Sequence, residues 1–304
     1  MIYKKYLELW LEYYVKPVTK EKTYNGYRQQ VEKYIIPILG EYDLHQLTAE
    51  RLQGFVASLM KMELSSNTIS GIISRLKTSL KTAKLVGKIT LDLATVIVRP
   101  RIKERKIDCF TKKEQQKIEE YILSSGAIRM LGVIICLYTG VRLGELLSLK
   151  WDDINLAKGM ISVSKTCRDS WENGEYVKII DTPKTESSKR IIPIPKQLKG
   201  VFKRLSNQKC GEYVICGKSQ YGAEVRTYQR SFSVLLDRLS IEHKGFHSLR
   251  HTFATRAVEC GMDIKTLSEI LGHKNPSITL KRYTHSMLEH KKQMMNRVGN
   301  LFCI

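Results

Sequence analysis

The residues of this chain best suited to chemistry lie between His247 and Tyr283. There His247-Ser-Leu-Arg250-His251 is followed by Leu271-Gly272-His273 and then by Lys281-Arg282-Tyr283. Residues three apart share a helix face, so a helix opened by Ser248 sets His247 at its mouth and projects Arg250 to the same side. Gly261 is suited to end that helix. Asp263 is suited to cap the next one, whose Ile264, Leu267, Ile270 and Leu271 form an apolar stripe that Gly272 stops, leaving His273 just beyond. Asn275-Pro276 begins a third helix carrying Tyr283, with Pro276 at its first position. Three short helices would then aim imidazoles, a guanidinium and a phenol at one place, a set that suits phosphate chemistry. Taken singly, each residue has a plainer role: a His or Arg near a helix start is more often a cap or surface group, and a tyrosine near Ile278 and Leu280 more often half-buried core.

A second arginine lies far upstream in Thr139-Gly-Val-Arg142-Leu-Gly-Glu145-Leu, and a lysine in Thr182-Pro-Lys184-Thr185. Any one of these motifs is weak, but the ordered set is specific. It resembles the tyrosine recombinase (phage integrase) family over roughly residues 110–285: an arginine in T-G-x-R-x-x-E-L, a lysine in a β-turn, H-x-L-R-H, L-G-H, and a tyrosine about ten residues later. The resemblance implies a catalytic set of Arg142, Lys184, His247, Arg250, His273 and the nucleophile Tyr283, supported by Glu145 and His251. It also implies double-stranded DNA with specific core sites as substrate, a homotetramer on that DNA, exchange through a Holliday junction, and no cofactor. Accessory DNA-bending or directionality proteins are left open, because the extra N-terminal arm-binding domain of larger integrases is not evident.

Breaking a phosphodiester piles negative charge on the non-bridging oxygens, which Arg142 and Arg250 can meet as forked, permanently charged donors. A tyrosine phenol has a pKa near 10, so only about one in a thousand is ionised at neutral pH. Nearby cations lower that barrier, and His251 or His247 can accept the proton. Lys184, by its likeness to the family lysine, is the candidate to protonate the leaving 5′ oxygen, while His273 orients the phosphate. A covalent phosphotyrosine stores the energy of the broken bond, so a 5′ hydroxyl can reverse the step without ATP. A hydrolase would more often activate water with a metal held by clustered carboxylates, and the sequence places no such cluster beside these motifs. Glu145, one helical turn from Arg142, reads as its brace. Two other classes use related material: a DNA-binding regulator that lost the chemistry, and a relaxing enzyme of the type IB topoisomerase kind. The expected role is integration or excision of a mobile element, with Xer-like chromosome resolution or DNA inversion as the alternative.

Composition points the same way. Over 304 residues the formal net charge is +21 and the pI is about 9.6, a balance that favours a polyanionic partner. No apolar run reaches the roughly 18 residues of a spanning helix, and Met1-Ile-Tyr-Lys-Lys does not open a signal peptide. Seven scattered cysteines suggest reduced thiols, and Cys210 with Cys216 makes a poor zinc site; the expected setting is cytoplasmic and nucleoid-associated.

The expected fold is mainly α with a small three-stranded antiparallel sheet. Residues 1–98 read as a helical, DNA-clamping core-binding domain, 99–108 as a basic linker, and 109–304 as an α+β catalytic domain with a C-terminal tail. In the first domain, Tyr6, Leu9, Trp10 and Tyr13 line one side of helix one. Tyr24, Tyr27, Val31, Tyr34 and Ile35 line helix two, which ends before Pro37. Thr48 begins a third helix, and Ile69, Ile72, Ile73, Leu76, Leu80 and Ala83 keep helical period across 66–87. The other faces of that fourth helix carry Arg75, Lys77, Lys81 and Lys84, with Lys88 just beyond and Arg99, Arg101 and Lys103 in the linker. In a neutral protein they would be a solvated face; beside this net charge, phosphate contact is the expected role. In the second domain Thr111 and Glu114 form a capping box, residues 160–165, 175–180 and 189–194 read as strands, and Lys184 lies in the turn between the last two. The tail, with Met287, Leu288, Met294, Met295, Val298, Leu301 and Phe302, either folds onto its own domain or, as the resemblance implies, packs on a neighbouring protomer.

Overall fold

Hydroxyl side chains mark where several helices begin. Thr48 Oγ1 accepts from Arg51 N at 3.3 Å, Ser65 Oγ from Thr68 N at 3.2 Å, and Thr111 Oγ1 from Glu114 N at 3.2 Å, while Thr111 N donates back to Glu114 Oε2 at 2.7 Å. Each bond satisfies an amide that the first helical turn leaves without a partner. The computed structural model describes residues 1–100, 108–172, 175–181, 189–209, 211–217, 222–273, 275–277, 280, 292, 295–296 and 298–302. The chain divides into two compact units, Met1–Arg105 and Lys106–Ile304.

The first unit contains α1 (Tyr3–Trp10), α2 (Glu21–Gln30), α3 (Ile36–Leu39), α4 (Ala49–Lys61), α5 (Ser66–Leu85) and α6 (Leu93–Val96). Its core collects Val31 and Ile35, the Leu52/Phe55/Val56/Leu59 stripe of α4 and the Ile69-to-Ala83 stripe of α5. The α1 stripe differs from the expected one: Tyr3, Tyr6, Leu7 and Trp10 are buried, whereas Leu9 and Tyr13 are exposed. The tyrosines go inward because their hydroxyls find partners there, Tyr3 with Ser79 Oγ at 2.6 Å and Tyr6 donating to the Ser79 carbonyl at 3.0 Å. Nor does the second helix stop before Pro37. Wide π turns at Leu11–Val15 and Val31–Ile35 lead into the segments holding Pro17 and Pro37. A proline lacks the amide and crowds the carbonyl four residues back, and a π turn removes that four-residue bond.

The second unit contains α7 (Lys112–Ser124), α8 (Leu131–Thr139), α9 (Leu143–Leu146), α10 (Leu198–Asn207), α11 (Val225–Arg238), α12 (His247–Glu259) and α13 (Ile264–Leu271). Helix α8 is apolar on all sides and buried from Leu131 to Leu137, as a central helix should be. Strands β1 (Ile154–Asn155), β2 (Met160–Val163) and β5 (Arg190–Pro193) make a three-stranded antiparallel sheet in the order β1-β2-β5. β3 (Thr166–Glu172) and β4 (Glu175–Asp181) form a separate antiparallel hairpin. The small antiparallel sheet was legible in the sequence, but its membership differs: the expected 175–180 strand pairs with Thr166–Glu172, outside the three expected strands, and β1 takes its place in the sheet. Cys216 is disulfide-bonded, which corrects the expectation of reduced thiols throughout; its partner lies outside the described residues. Cys109, Cys136, Cys167 and Cys260 are free thiols. Among the described residues no helix is long and apolar enough to cross a membrane.

Candidate active site

Helix α13 shows how the site is assembled. Asp263 caps its start, accepting from Thr266 N at 2.9 Å, and Leu267 and Leu271 fix its buried side. Gly272 then turns left-handed at φ 64°, which lets the amides of Gly272 and His273 donate to the carbonyls of Glu269 and Ser268 at 3.0 Å each. The carbonyls of Ile270, Leu271 and Gly272 remain, at the negative end of the helix. Three arginines from three other elements take them. Arg190 Nε donates to Ile270 O at 2.6 Å, Arg250 Nη2 to Leu271 O at 2.6 Å, and Arg142 Nη2 to Gly272 O at 3.3 Å.

Local sequence explains how each arginine arrives. Gly140 ends α8 at φ 65°, where a Cβ would strike Phe253 Cδ1 at 2.5 Å and Leu271 Cδ2 at 2.8 Å. That tight turn puts Arg142 at the N-cap of α9 and leaves the Gly140 carbonyl to accept from Arg250 Nη1 at 2.8 Å. Arg250 sits on the first turn of α12 and is 2 % exposed, whereas the Arg142 side chain keeps 35 % exposure. His247, the first residue of α12, is exposed, and its ring meets that of His251 edge-on at 4.7 Å.

Glu145 joins two of the arginines. Its Oε1 accepts from Arg142 Nη1 at 2.6 Å and Arg190 Nη1 at 3.1 Å, and its Oε2 from Arg190 Nη2 at 2.8 Å and Arg142 N at 2.9 Å. Burial alone would raise this carboxyl's pKa, but the hydrogen bonds and charge of Arg190, with the charge of Arg142, hold it down at about 2. Among the described residues of this cluster, three guanidiniums face one carboxylate beside His273. Forked, permanently charged donors of this kind are chemically suited to an anion.

The structure thus brings Arg142, Glu145, Arg250 and His273 to one turn, with His247 and His251 on the helix that supplies Arg250. Lys184 and Tyr283 lie outside the described residues. Arg190 was not singled out in the sequence; its one signal is a charged residue heading the apolar run Ile191-Ile192-Pro193-Ile194. Among the described residues no group of three or more His, Cys, Asp or Glu is placed to hold a metal ion. A cleft of about 580 Å³ lined by Tyr121, Arg129, Thr227, Arg230 and Arg238 contains none of the candidate residues.

In the first unit the candidate DNA-contacting side chains divide. Arg75 is only half-exposed: it stacks over the Tyr27 ring at 4.5 Å and donates to Gly71 O at 3.1 Å. Lys84 pairs with Asp92 at 3.4 Å. Lys77 has its pKa lowered by desolvation and then by the charges of Arg99 and Lys81, a sign that these cations crowd together. Arg99 donates to Ser74 Oγ at 3.2 Å, and Lys88 is exposed. Arg101 and Lys103 lie outside the described residues.

The sequence model of the phage integrase family matches residues 108–290, which include every motif above. The chain belongs to that family. A second model, the phage integrase N-terminal SAM-like domain, matches residues 2–60. Among relatives, a tyrosine recombinase XerC-like protein of Caldanaerobacter subterraneus subsp. tengcongensis is 29% identical over 97% of this integrase-family chain and 82% of its own length. Among solved structures, the Tn1549 transposon integrase in complex with a circular intermediate DNA superposes with a TM-score of 0.86 at 21% identity, covering 98% of this chain and 99% of the other. A lambda integrase tetramer bound to a Holliday junction superposes with a TM-score of 0.69 at 21% identity, over 91% of this chain and 78% of the other. Both likenesses establish the fold, mostly helical with a small antiparallel sheet.

Proposed function

We propose that this tyrosine-type site-specific recombinase cuts and rejoins double-stranded DNA at specific core sites, for integration and excision of a mobile element. The Tyr283 oxygen attacks the scissile phosphorus, giving a 3′-phosphotyrosyl link and releasing a 5′ oxygen that Lys184 protonates. Attack by the 5′ hydroxyl of another strand reverses the step and frees the tyrosine. Arg142 and Arg250, with His273, stabilise the charge gathered on the phosphate, and His247 or His251 takes the phenolic proton. The observation that carries this reading is the convergence of Arg142 and Arg250 on the turn that presents His273.

Residues 1–98 act as the DNA-clamping domain, 99–108 as a basic linker, and 109–304 as the catalytic domain. Lys77, Lys81, Lys88, Arg99 and the linker cations Arg101 and Lys103 contact phosphates, joined by Arg75 and Lys84 when DNA displaces their present partners. The assembly is a homotetramer on DNA, as the lambda integrase is on a Holliday junction, and the exposed tail residues Met295, Val298, Leu301 and Phe302 suit packing on a neighbouring protomer. The protein works in the cytoplasm on nucleoid DNA. The mobile-element role follows the Tn1549 likeness; the XerC-like relative favours chromosome resolution as the second reading.

The test is a nicked duplex carrying the DNA that flanks the protein's own gene. The wild-type chain is expected to form a covalent adduct that Tyr283→Phe abolishes while binding survives. Binding without an adduct would mean a regulator, and relaxation of any supercoiled plasmid without site preference would mean a topoisomerase-like enzyme.

A further inference from the structure

Arg190 reaches two parts of the site that are far apart in the chain. Its side chain is 6 % exposed, and its forked nitrogens grip both oxygens of Glu145, itself 4 % exposed. Its Nε, meanwhile, donates to Ile270 O at 2.6 Å. The left-handed Gly272 packs against it: a Cβ there would lie 3.0 Å from Arg190 Cδ and 3.1 Å from Nη1. Arg190 also heads β5, six residues after Lys184 in the chain.

We infer that Arg190 is a positioning residue for strand cleavage, which keeps Arg142 from being captured by Glu145 and fixes the turn that presents His273. The inference rests on the recombinase reading above. Arg142 places only one side-chain nitrogen on Glu145, because Arg190 takes both carboxylate oxygens. Its other terminal nitrogen is thereby directed to Gly272 O, on the partly exposed edge where a phosphate would arrive. Without Arg190, the buried carboxylate would be left with Arg142 as its one guanidinium partner in this cluster, and a two-point grip on it would turn that edge inward. Lysine can substitute only in part, since one ammonium keeps the charge but cannot serve both Glu145 and Ile270 O in a planar fork.

The experiment compares full-length wild type, Arg190→Met and Arg190→Lys on the nicked duplex, measuring the single-turnover rate of adduct formation and the Kd separately, with thermal melts to establish folding. Arg190→Met is expected to slow cleavage by about 100-fold or more while changing Kd by no more than about threefold, with Arg190→Lys intermediate. If Arg190→Met does not fold, Arg190→Lys decides, with a loss of about tenfold expected in cleavage and little in binding. A folded variant that cleaves at the wild-type rate, or one that loses binding and cleavage in equal measure, overturns the inference. A wild-type chain that forms no adduct overturns the recombinase reading itself, and this inference with it.

Discussion

Arg142 and Arg250 donate to successive carbonyls, those of Gly272 and Leu271, at 3.3 and 2.6 Å. They come from segments more than a hundred residues apart, yet one helix end gathers them. The two differ in what surrounds them: Arg250 is buried, and Arg142 keeps a third of its side chain in solvent. Arg142 is therefore the arginine whose loss should be felt most purely in chemistry.

Arg142→Lys should reduce single-turnover adduct formation by about 100-fold or more, since a preorganised forked donor is replaced by a point charge. Affinity for the same duplex should change little. An equal fall in both quantities would place Arg142 in binding alone.

Gly272→Ala should lower stability by about 1–3 kcal/mol, because φ 64° strains any L side chain and its Cβ would press on Arg190. For a unit of this size, a shift in Tm of roughly 3–8 °C is the expected reading. A melt indistinguishable from wild type would show that the turn is not held as described.

Acid should weaken the second unit through Glu145. Its carboxyl sits at about 2 when folded against an ordinary 4.5, so the unfolded chain binds the proton more tightly. Its contribution, on the order of 3 kcal/mol, is therefore fully present above pH 4.5 and is lost as pH falls from there towards 2. Urea melts across that window should show stability falling with pH, with a shallower slope in Glu145→Gln. The same slope in both would remove Glu145 from the account.

Lys77→Ala combined with Arg99→Ala should weaken binding to cognate and unrelated duplexes by similar factors and flatten the salt dependence of log Kd by about two. A loss confined to the cognate site would instead make these residues readers of base sequence.

Much of this architecture could be read in advance where the causes are local. Asp263 as cap, Gly272 as stop, the Thr111–Glu114 box and the apolar period of α5 each depend on neighbours a turn or two away. What escaped depends on distance. Arg190 acquires meaning from partners 45 and 80 residues away. The 166–172 strand carries few β-branched residues and owes its form to the ladder with 175–181. The α1 stripe slid toward Tyr3 because Ser79, on another helix, supplies the polar partner that makes a buried phenol acceptable.

The carbonyls that end α13 have one more consequence. On the recombinase reading proposed above, a peptide turn and a DNA phosphodiester become rivals for the same protons, since the nitrogen that Arg142 would lend to an anion is already engaged by Gly272. Any anion that draws on it loosens the backbone bearing His273. Use of that nitrogen and the posture of that imidazole thus belong to a single equilibrium.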